Sequence, residues 1–159
     1  MNEVRRQTLA VLVDNEAGVL SQVSRLFSRK GYNIESLAVG TTTDPAVSRI
    51  TIEVLGDDDQ IKLLSNQLRK LIPVHSVKVL TEQKAIRREL IIVKMRTPTP
   101  GIRNEITQLA NIFRASIIDV SIGTLSLAVI GEEQKLEGMI NILKEFEIME
   151  LVRTGVIAL

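Results

Sequence analysis

Residues 13–34 of the chain read VDNEAGVLSQVSRLFSRKGYNI. The stretch begins at the end of an apolar run and passes through a short polar turn, residues 15–18, into a segment with helical spacing. Gly31 ends this segment, because glycine tolerates the positive φ that often follows a helix. The residues predicted on the buried face of the helix are Val19, Leu20, Val23, Leu26 and Phe27. We therefore expect a strand, a turn, an amphipathic helix and a second strand in this order.

The start of this helix is predicted to bind a small anion. A glycine-containing turn between a strand and a helix leaves N–H groups without backbone partners, and the positive end of the helix dipole adds to their attraction for a carboxylate or phosphate. The candidate donors are the N–H groups of Gly18, Val19 and Leu20, with the side-chain amide of Asn15 beside them. The local sequence leaves a simpler role open, in which Asn15 caps the helix and Gly18 only permits the turn.

Composition excludes several classes of function. The chain has 159 residues, 45% of them hydrophobic, which is enough for one medium domain or two small ones with packed cores. Twenty basic residues balance 19 acidic ones, so net charge gives no argument for nucleic-acid binding. Cysteine is absent, which excludes disulfides and thiolate metal sites, and His75 is the only histidine. A multi-histidine metal site within one chain is excluded as well.

The sequence shows neither a secretory cleavage pattern near its start nor an apolar window of the roughly 18 residues that a membrane span needs. We therefore expect a soluble cytoplasmic protein.

Hydrophobic periodicity predicts the remaining elements of the first half. The pattern slips between Ile34 and Leu37, which indicates a bulge in the second strand. Residues 47–55 alternate as a half-buried strand with Arg49, Thr51 and Glu53 on the solvent face. Residues 57–59, all aspartate, are expected to cap a second helix, which Pro73 stops before a strand over 74–80. The order is βαββαβ.

The same order returns after a charged linker at residues 81–88. Strands are predicted over 90–95 and 150–159, with a hairpin turning at Gly123 and helices on either side of it. The fold class is therefore α+β, with two ferredoxin-like βαββαβ domains in tandem, residues 1–80 and 89–159. Each sheet would keep one face free of helices, and about 75 residues make a marginal domain, so we expect the chain to associate.

Other functions of this strand order lack the residues they need. An RNA-recognition module stacks bases on aromatic side chains of its central strands, and here those strands carry none. A metal-chaperone version needs a cysteine pair. The aspartates at 57–59 suit a helix cap better than a cation, because no further ligand spacing accompanies them, and His75 is expected at the surface.

The βαββαβ order with a strand, a [DN]-x-x-G turn and a helix at its start resembles the ACT domain, a module that binds amino acids and regulates metabolic enzymes. The segments NEAGVLSQV, LFSRKGYNIESL and SRITI resemble more closely the small, regulatory subunit of acetohydroxyacid synthase, also called acetolactate synthase. RRELIIVK, IFRASIIDV and LVRTGVIAL extend the resemblance over essentially the whole chain, with Lys30 a mild departure.

This resemblance implies a non-catalytic subunit of the pathway to valine, leucine and isoleucine. It would activate a catalytic subunit and make it sensitive to feedback by a branched-chain amino acid, most often valine. Thiamine diphosphate, Mg and FAD would be bound by the catalytic partner, and no cofactor by this chain. The effector would lie between two ACT domains of a homodimer, held by Asn15, Gly18, Val19, Leu20 and Ser21 of one subunit and by Asn33 and Ile34 of the other.

Two alternatives remain at this point. An ACT-type amino-acid sensor for another metabolic enzyme or for a transcription factor would share the pocket but not the match beyond Arg88. A self-sufficient enzyme would need a carboxylate or lysine mechanism, for which the sequence offers no arrangement. Asp44, Ser48 and Arg49 are candidates for contact with a catalytic subunit or, equally, for a plain turn and solvent face.

Overall fold

The structure is a computed structural model that describes residues 3–159. The chain forms two compact units. The first contains the chain up to Ile86 and also Val156–Leu159, and the second is Arg87–Gly155. The predicted division differs in two respects. The last four residues belong to the first unit, and the predicted linker at residues 81–88 is divided, with 81–86 in the first unit and 87–88 already in a strand of the second.

The first unit confirms the predicted order of elements. Its strands lie in the spatial order β2-β3-β1-β4, all antiparallel to their neighbours, so β2 and β4 are the two edges of the sheet. The elements are β1 (Arg5–Asp14), α1 (Val19–Lys30), β2 (Ile34–Thr41), β3 (Val47–Gly56), α2 (Asp58–Leu68) and β4 (Val74–Leu80).

The second unit repeats the arrangement, with the strand order β6-β7-β5-β8. Its elements are β5 (Arg87–Arg96), α3 (Pro100–Ile112), β6 (Ser116–Ser121), β7 (Thr124–Gly131), α4 (Glu133–Leu143) and β8 (Ile148–Arg153). The apolar faces of both helices pack on the sheet around a core that includes Ile91, Ile106, Leu127 and Leu136. The edge strand β6 is exposed along its whole length.

The core of the first unit explains why the helices begin and end where they do. Val23 and Phe27 of α1 pack against β1, β3 and α2, and Gly31 ends α1 in the left-handed region at φ 74°. Asp57 caps α2 in a reciprocal capping box with Gln60, as the aspartate cluster predicted. The predicted bulge in β2 is confirmed between Ile34 and Ser36. One prediction was wrong: Leu20 lies at the margin of the apolar face and is 42% exposed.

The face of the first sheet away from the helices is more buried than the sequence predicts. Thr51 and Glu53 of β3, expected in solvent, are both 3% exposed. Ala158 packs on this face against Ala10 and Leu80. The reason for this burial was not visible locally, because it involves residues more than 70 positions apart in the chain.

The segment after β8 also differs from the predicted single strand over 150–159. The strand stops at Arg153, and a two-residue strand, β9 (Ile157–Ala158), follows. Val156 donates its N–H to the Ser36 hydroxyl at 2.9 Å, and the Arg49 guanidinium donates to the Ala158 carbonyl at 2.7 Å. Leu159 exchanges two backbone hydrogen bonds with Ile86. These bonds hold residues 156–159 to the first unit.

Candidate functional site

The turn before α1 is built around Gly18. The Val19 N–H reaches back to the Glu16 carbonyl, and Gly18 has φ 86° and ψ −10°. These angles are those of the third residue of a type II turn, which strongly favours glycine because the φ is positive. A Cβ built on Gly18 would meet no atom within 4 Å. The space in front of the turn is therefore open.

Backbone donors face this open turn. Among residues 3–159, the N–H groups of Gly18, Leu20 and Ser21 have no backbone acceptor, whereas the Gln22 N–H closes the first helical bond to the Gly18 carbonyl. The N-cap residue of α1 is Gly18, which has no side chain to satisfy them, and the first helical turn contains no acidic residue. The donors are thus available to a carboxylate or phosphate.

Asn15 does not cap the helix, so the simpler role left open for it is wrong. Its backbone N–H donates to the Ala46 carbonyl at 2.8 Å, and its side-chain Nδ2 donates to the Pro45 carbonyl at 2.9 Å. This pairing fixes the side chain at the mouth of the turn. Its Oδ1 accepts no hydrogen bond from the described residues, and it can therefore accept one from an ammonium group.

Sequence reasoning missed the residues that hold the turn in place. Pro45 and Ala46 belong to the β2–β3 connection and reach Asn15 only through strand pairing. On the other side, the Asp14 N–H donates to the Pro73 carbonyl, and the Asp14 carboxylate contacts the exposed His75. The sequence predicts a turn at Asp44 and Pro45, but it does not show that this turn contacts Asn15.

The side chains at the start of α1 divide into two groups. Val19 is buried in the core, so only its backbone can serve a ligand. Leu20 and Ser21 are exposed beside the turn. The turn therefore has an exposed leucine next to its unpaired N–H donors.

Asn33 and Ile34 lie at the opposite end of the same sheet. Ile34 pairs with Val54 of β3, whereas Asp14 pairs with Val47. Val47 and Val54 are seven positions apart in β3, which is about 23 Å along the strand. Asn33 is exposed and donates to Glu35 at 2.7 Å. The structure therefore does not bring Asn33 and Ile34 to Gly18 within one chain.

The start of α2 is not a comparable site for an anion. The start of α2 is occupied by its own capping box and carries Asp58 and Asp59 in its first turn. Over residues 3–159, no group of three or more Asp, Glu or His side chains is arranged to hold a metal ion. Of the two helix starts in the first unit, the one at Gly18 is without a side-chain cap.

The predicted contact residues of the β3 region also differ from expectation. Ser48 is buried, and Arg49 is half-buried with its guanidinium bonded to Ala158. Asp44 is exposed and accepts from the Ala46 N–H within its own turn. Of the three, only Asp44 is open to a partner in this structure.

Comparison with known proteins extends these observations. Residues 9–76 match the family model described as the AHAS small subunit-like ACT domain, and residues 88–159 match the one described as the small subunit of acetolactate synthase. The acetolactate synthase small subunit of Aquifex aeolicus is 43% identical over 99% of this chain and 82% of its own length. The probable small subunit of Archaeoglobus fulgidus is 45% identical over 97% of this chain and 96% of its own.

The fold of a solved structure agrees with these sequence matches. The crystal structure of the acetolactate synthase small subunit from Thermotoga maritima superposes with a TM-score of 0.91 at 36% identity, covering 98% of this chain and 96% of that one. Within the described part of the chain, no helix is both long and apolar enough to cross a membrane. With an ACT fold and matches over nearly its full length, the chain belongs to the family of acetolactate synthase small subunits.

Proposed function

We propose that this chain activates a thiamine-diphosphate-dependent acetolactate synthase subunit and makes it sensitive to feedback inhibition by valine or another branched-chain amino acid. The observation that carries the proposal is the open turn at Gly18, which presents unpaired N–H groups beside the free Oδ1 of Asn15. Membership of the small-subunit family supports a regulatory rather than a catalytic role.

The chemistry of the turn suits a free amino acid. The N–H groups of Gly18, Leu20 and Ser21 would bind the α-carboxylate, since donors at a helix start favour a negative charge. The Oδ1 of Asn15 would accept from the α-ammonium group. The exposed side chain of Leu20 would contact an aliphatic side chain, which favours a branched-chain amino acid over a polar one.

A second copy of the chain completes this site. The edge strand β2 runs parallel to β1, because both are antiparallel to β3. If two copies pair β2 with β2 about a twofold axis, the start of one β2 lies beside the end of the other. Asn33 and Ile34 of one copy then come to the end of the sheet where Gly18 of the other copy lies. Two equivalent sites would form in each homodimer.

Feedback would follow from linkage. An effector that binds across the two copies can shift the assembly only if it binds one arrangement of the copies more tightly than another. Typical coupling between two such sites is about 1–3 kcal/mol. We expect the arrangement that valine favours to weaken or distort the contact with the catalytic subunit, which lowers synthase activity without any chemistry in this chain.

The catalytic partner would carry the cofactors. Thiamine diphosphate, Mg and FAD belong, on this proposal, to the large subunit that condenses pyruvate with a second 2-oxo acid. This chain would contribute contact surface and the effector site alone.

Co-purification with a thiamine-dependent synthase subunit, followed by an acetolactate assay with and without valine, tests the proposal. The chain is expected to raise activity, and valine is expected to remove most of the gain. The variant Gly18→Asp should still activate but should not respond to valine, because its carboxylate would fill the turn and repel the ligand carboxylate.

The result that would contradict the assignment is valine binding by Gly18→Asp at wild-type affinity in calorimetry. Failure to bind or activate any thiamine-dependent subunit, together with normal valine binding, would instead favour an amino-acid sensor for a different enzyme or a transcription factor. The first result tests the position of the effector site, and the second tests the identity of the catalytic partner.

A further inference from the structure

A cleft of about 240 Å³ lies between α2 and the edge strand β4, and none of its lining residues belongs to the turn at Gly18. Gln7 of β1 lines its base. Helix α2 and the residue after it contribute polar groups that follow one another on a single stripe of the helix surface. These groups are Asp58, Lys62, Ser65 and Arg69.

Ser65 gives the first indication of a ligand. The residue is 2% exposed, and its Oγ has no hydrogen-bond partner among residues 3–159. A buried hydroxyl without a partner is costly, and such groups in folded proteins are usually satisfied by the protein, by water or by a ligand. The Ser65 hydroxyl is therefore free to bond to water or to a ligand in the cleft.

The charges around the cleft give the second indication. Lys62 is exposed and has no ion-pair partner in the described part of the chain. Arg69 donates to the Asn66 side chain at 3.0 Å and to the Val77 carbonyl at 2.9 Å, both neutral acceptors. These two bonds fix the guanidinium and leave further N–H groups unused.

The carboxylate at the rim does not neutralise this pair of cations. Asp58 accepts from Arg5 at 2.8 Å and from Gln7 at 2.9 Å, so it already has a cationic partner. The cleft as a whole therefore favours an anion.

We propose that this cleft binds a small organic carboxylate. Lys62, Arg69 and the Ser65 hydroxyl bind the acid group, and the partly exposed Val79 contacts a short aliphatic portion. The apolar surface and the cationic stripe together select an organic acid over inorganic phosphate, and the volume of the cleft accommodates a short-chain acid. The site is separate from the effector turn and stands whether or not that turn binds valine.

The test is an NMR titration of the complete chain, monitored at the backbone amides of Ser65 and Val79. Isobutyrate is the test ligand. Isobutylamine has a similar size and the opposite charge, and inorganic phosphate is an anion without an apolar part. Isobutyrate is expected to give saturable shifts at both amides, and the other two probes weaker ones. Lys62→Gln is expected to weaken isobutyrate binding about threefold to fivefold, as an exposed ion pair does.

Two further variants sharpen the result. Ser65→Ala should weaken isobutyrate binding without lowering the thermal midpoint, because it removes a hydroxyl that is unsatisfied when the cleft is empty. Lys84→Gln, an exposed lysine outside the cleft, should change nothing. Running the series in the Gly18→Asp chain removes any contribution of the effector turn.

Three outcomes would overturn the proposal. Equal shifts with isobutyrate and isobutylamine would show that charge is not recognised. Phosphate binding as tightly as isobutyrate would show that the apolar wall contributes nothing. Unchanged isobutyrate affinity in both Lys62→Gln and Ser65→Ala would mean that the cleft holds water alone.

Discussion

Replacing Gly18 by alanine separates the conformational role of this residue from its role in ligand binding. The added methyl group meets no atom within 4 Å, so no clash contributes to the change in stability. The remaining cost is that of holding an alanine at φ 86°, which is about 1 kcal/mol in the free energy of unfolding. For a chain of this length that corresponds to a fall of about 2–4 °C in Tm.

The effect on valine binding should be larger than the effect on stability. The methyl group enters the open space in front of the N–H donors and keeps a carboxylate from hydrogen-bond distance. Losing one hydrogen bond to a charged group costs about 1.5–3 kcal/mol, so the Kd should rise at least about tenfold. Calorimetry gives the Kd, and urea unfolding gives the stability.

Gly123→Ala is the matched control. Gly123 has φ 75°, lies in the second unit and also has nothing within 4 Å of a built Cβ. The Gly123→Ala chain should lose a similar free energy of unfolding but bind valine normally. If Gly18→Ala binds valine as the wild type does, or if both variants weaken valine equally, the reasoning about the turn is refuted.

Three further predictions concern stability and are read from chemical or thermal unfolding. Asp57→Ala removes the capping box of α2 and should cost about 1 kcal/mol; an unchanged midpoint would exclude a stabilising cap. Phe27→Ala opens a cavity in the first core and should cost about 3–5 kcal/mol. Ala158→Glu buries a carboxylate against Ala10 and should cost about 1–3 kcal/mol, whereas Leu159→Glu, at an exposed position, should be nearly neutral.

The elements of the fold were predictable because each has a local cause. The spacing of Val19, Val23 and Phe27 marks the buried face of α1, and the aspartates before Gln60 mark the start of α2. Burial at the margins of these elements was not predictable. Leu20 has the spacing of a core residue, but whether a margin is covered depends on what packs beside it, and the described chain leaves it exposed.

The chemistry of the candidate site could be predicted from the sequence, but only part of its geometry could. The positive φ at Gly18 follows from the glycine between a strand and a helix. The bonds from Asn15 to Pro45 and Ala46 depend on strand pairing across some 30 residues, which no local pattern encodes. The burial of Thr51 and Ala158 depends in the same way on the return of the chain end to the first unit.

The central claim is that each effector site takes Gly18 from one copy of the chain and Asn33 from another. A heterodimer of a Gly18→Asp chain and an Asn33→Ala chain, isolated by two different affinity tags, tests it most directly by calorimetry. Each homodimer should bind valine weakly at both sites. The heterodimer should regain one wild-type site per dimer, because the native Gly18 of the Asn33→Ala chain then lies beside the native Asn33 of the Gly18→Asp chain. A heterodimer that binds valine no better than the two homodimers would contradict the claim.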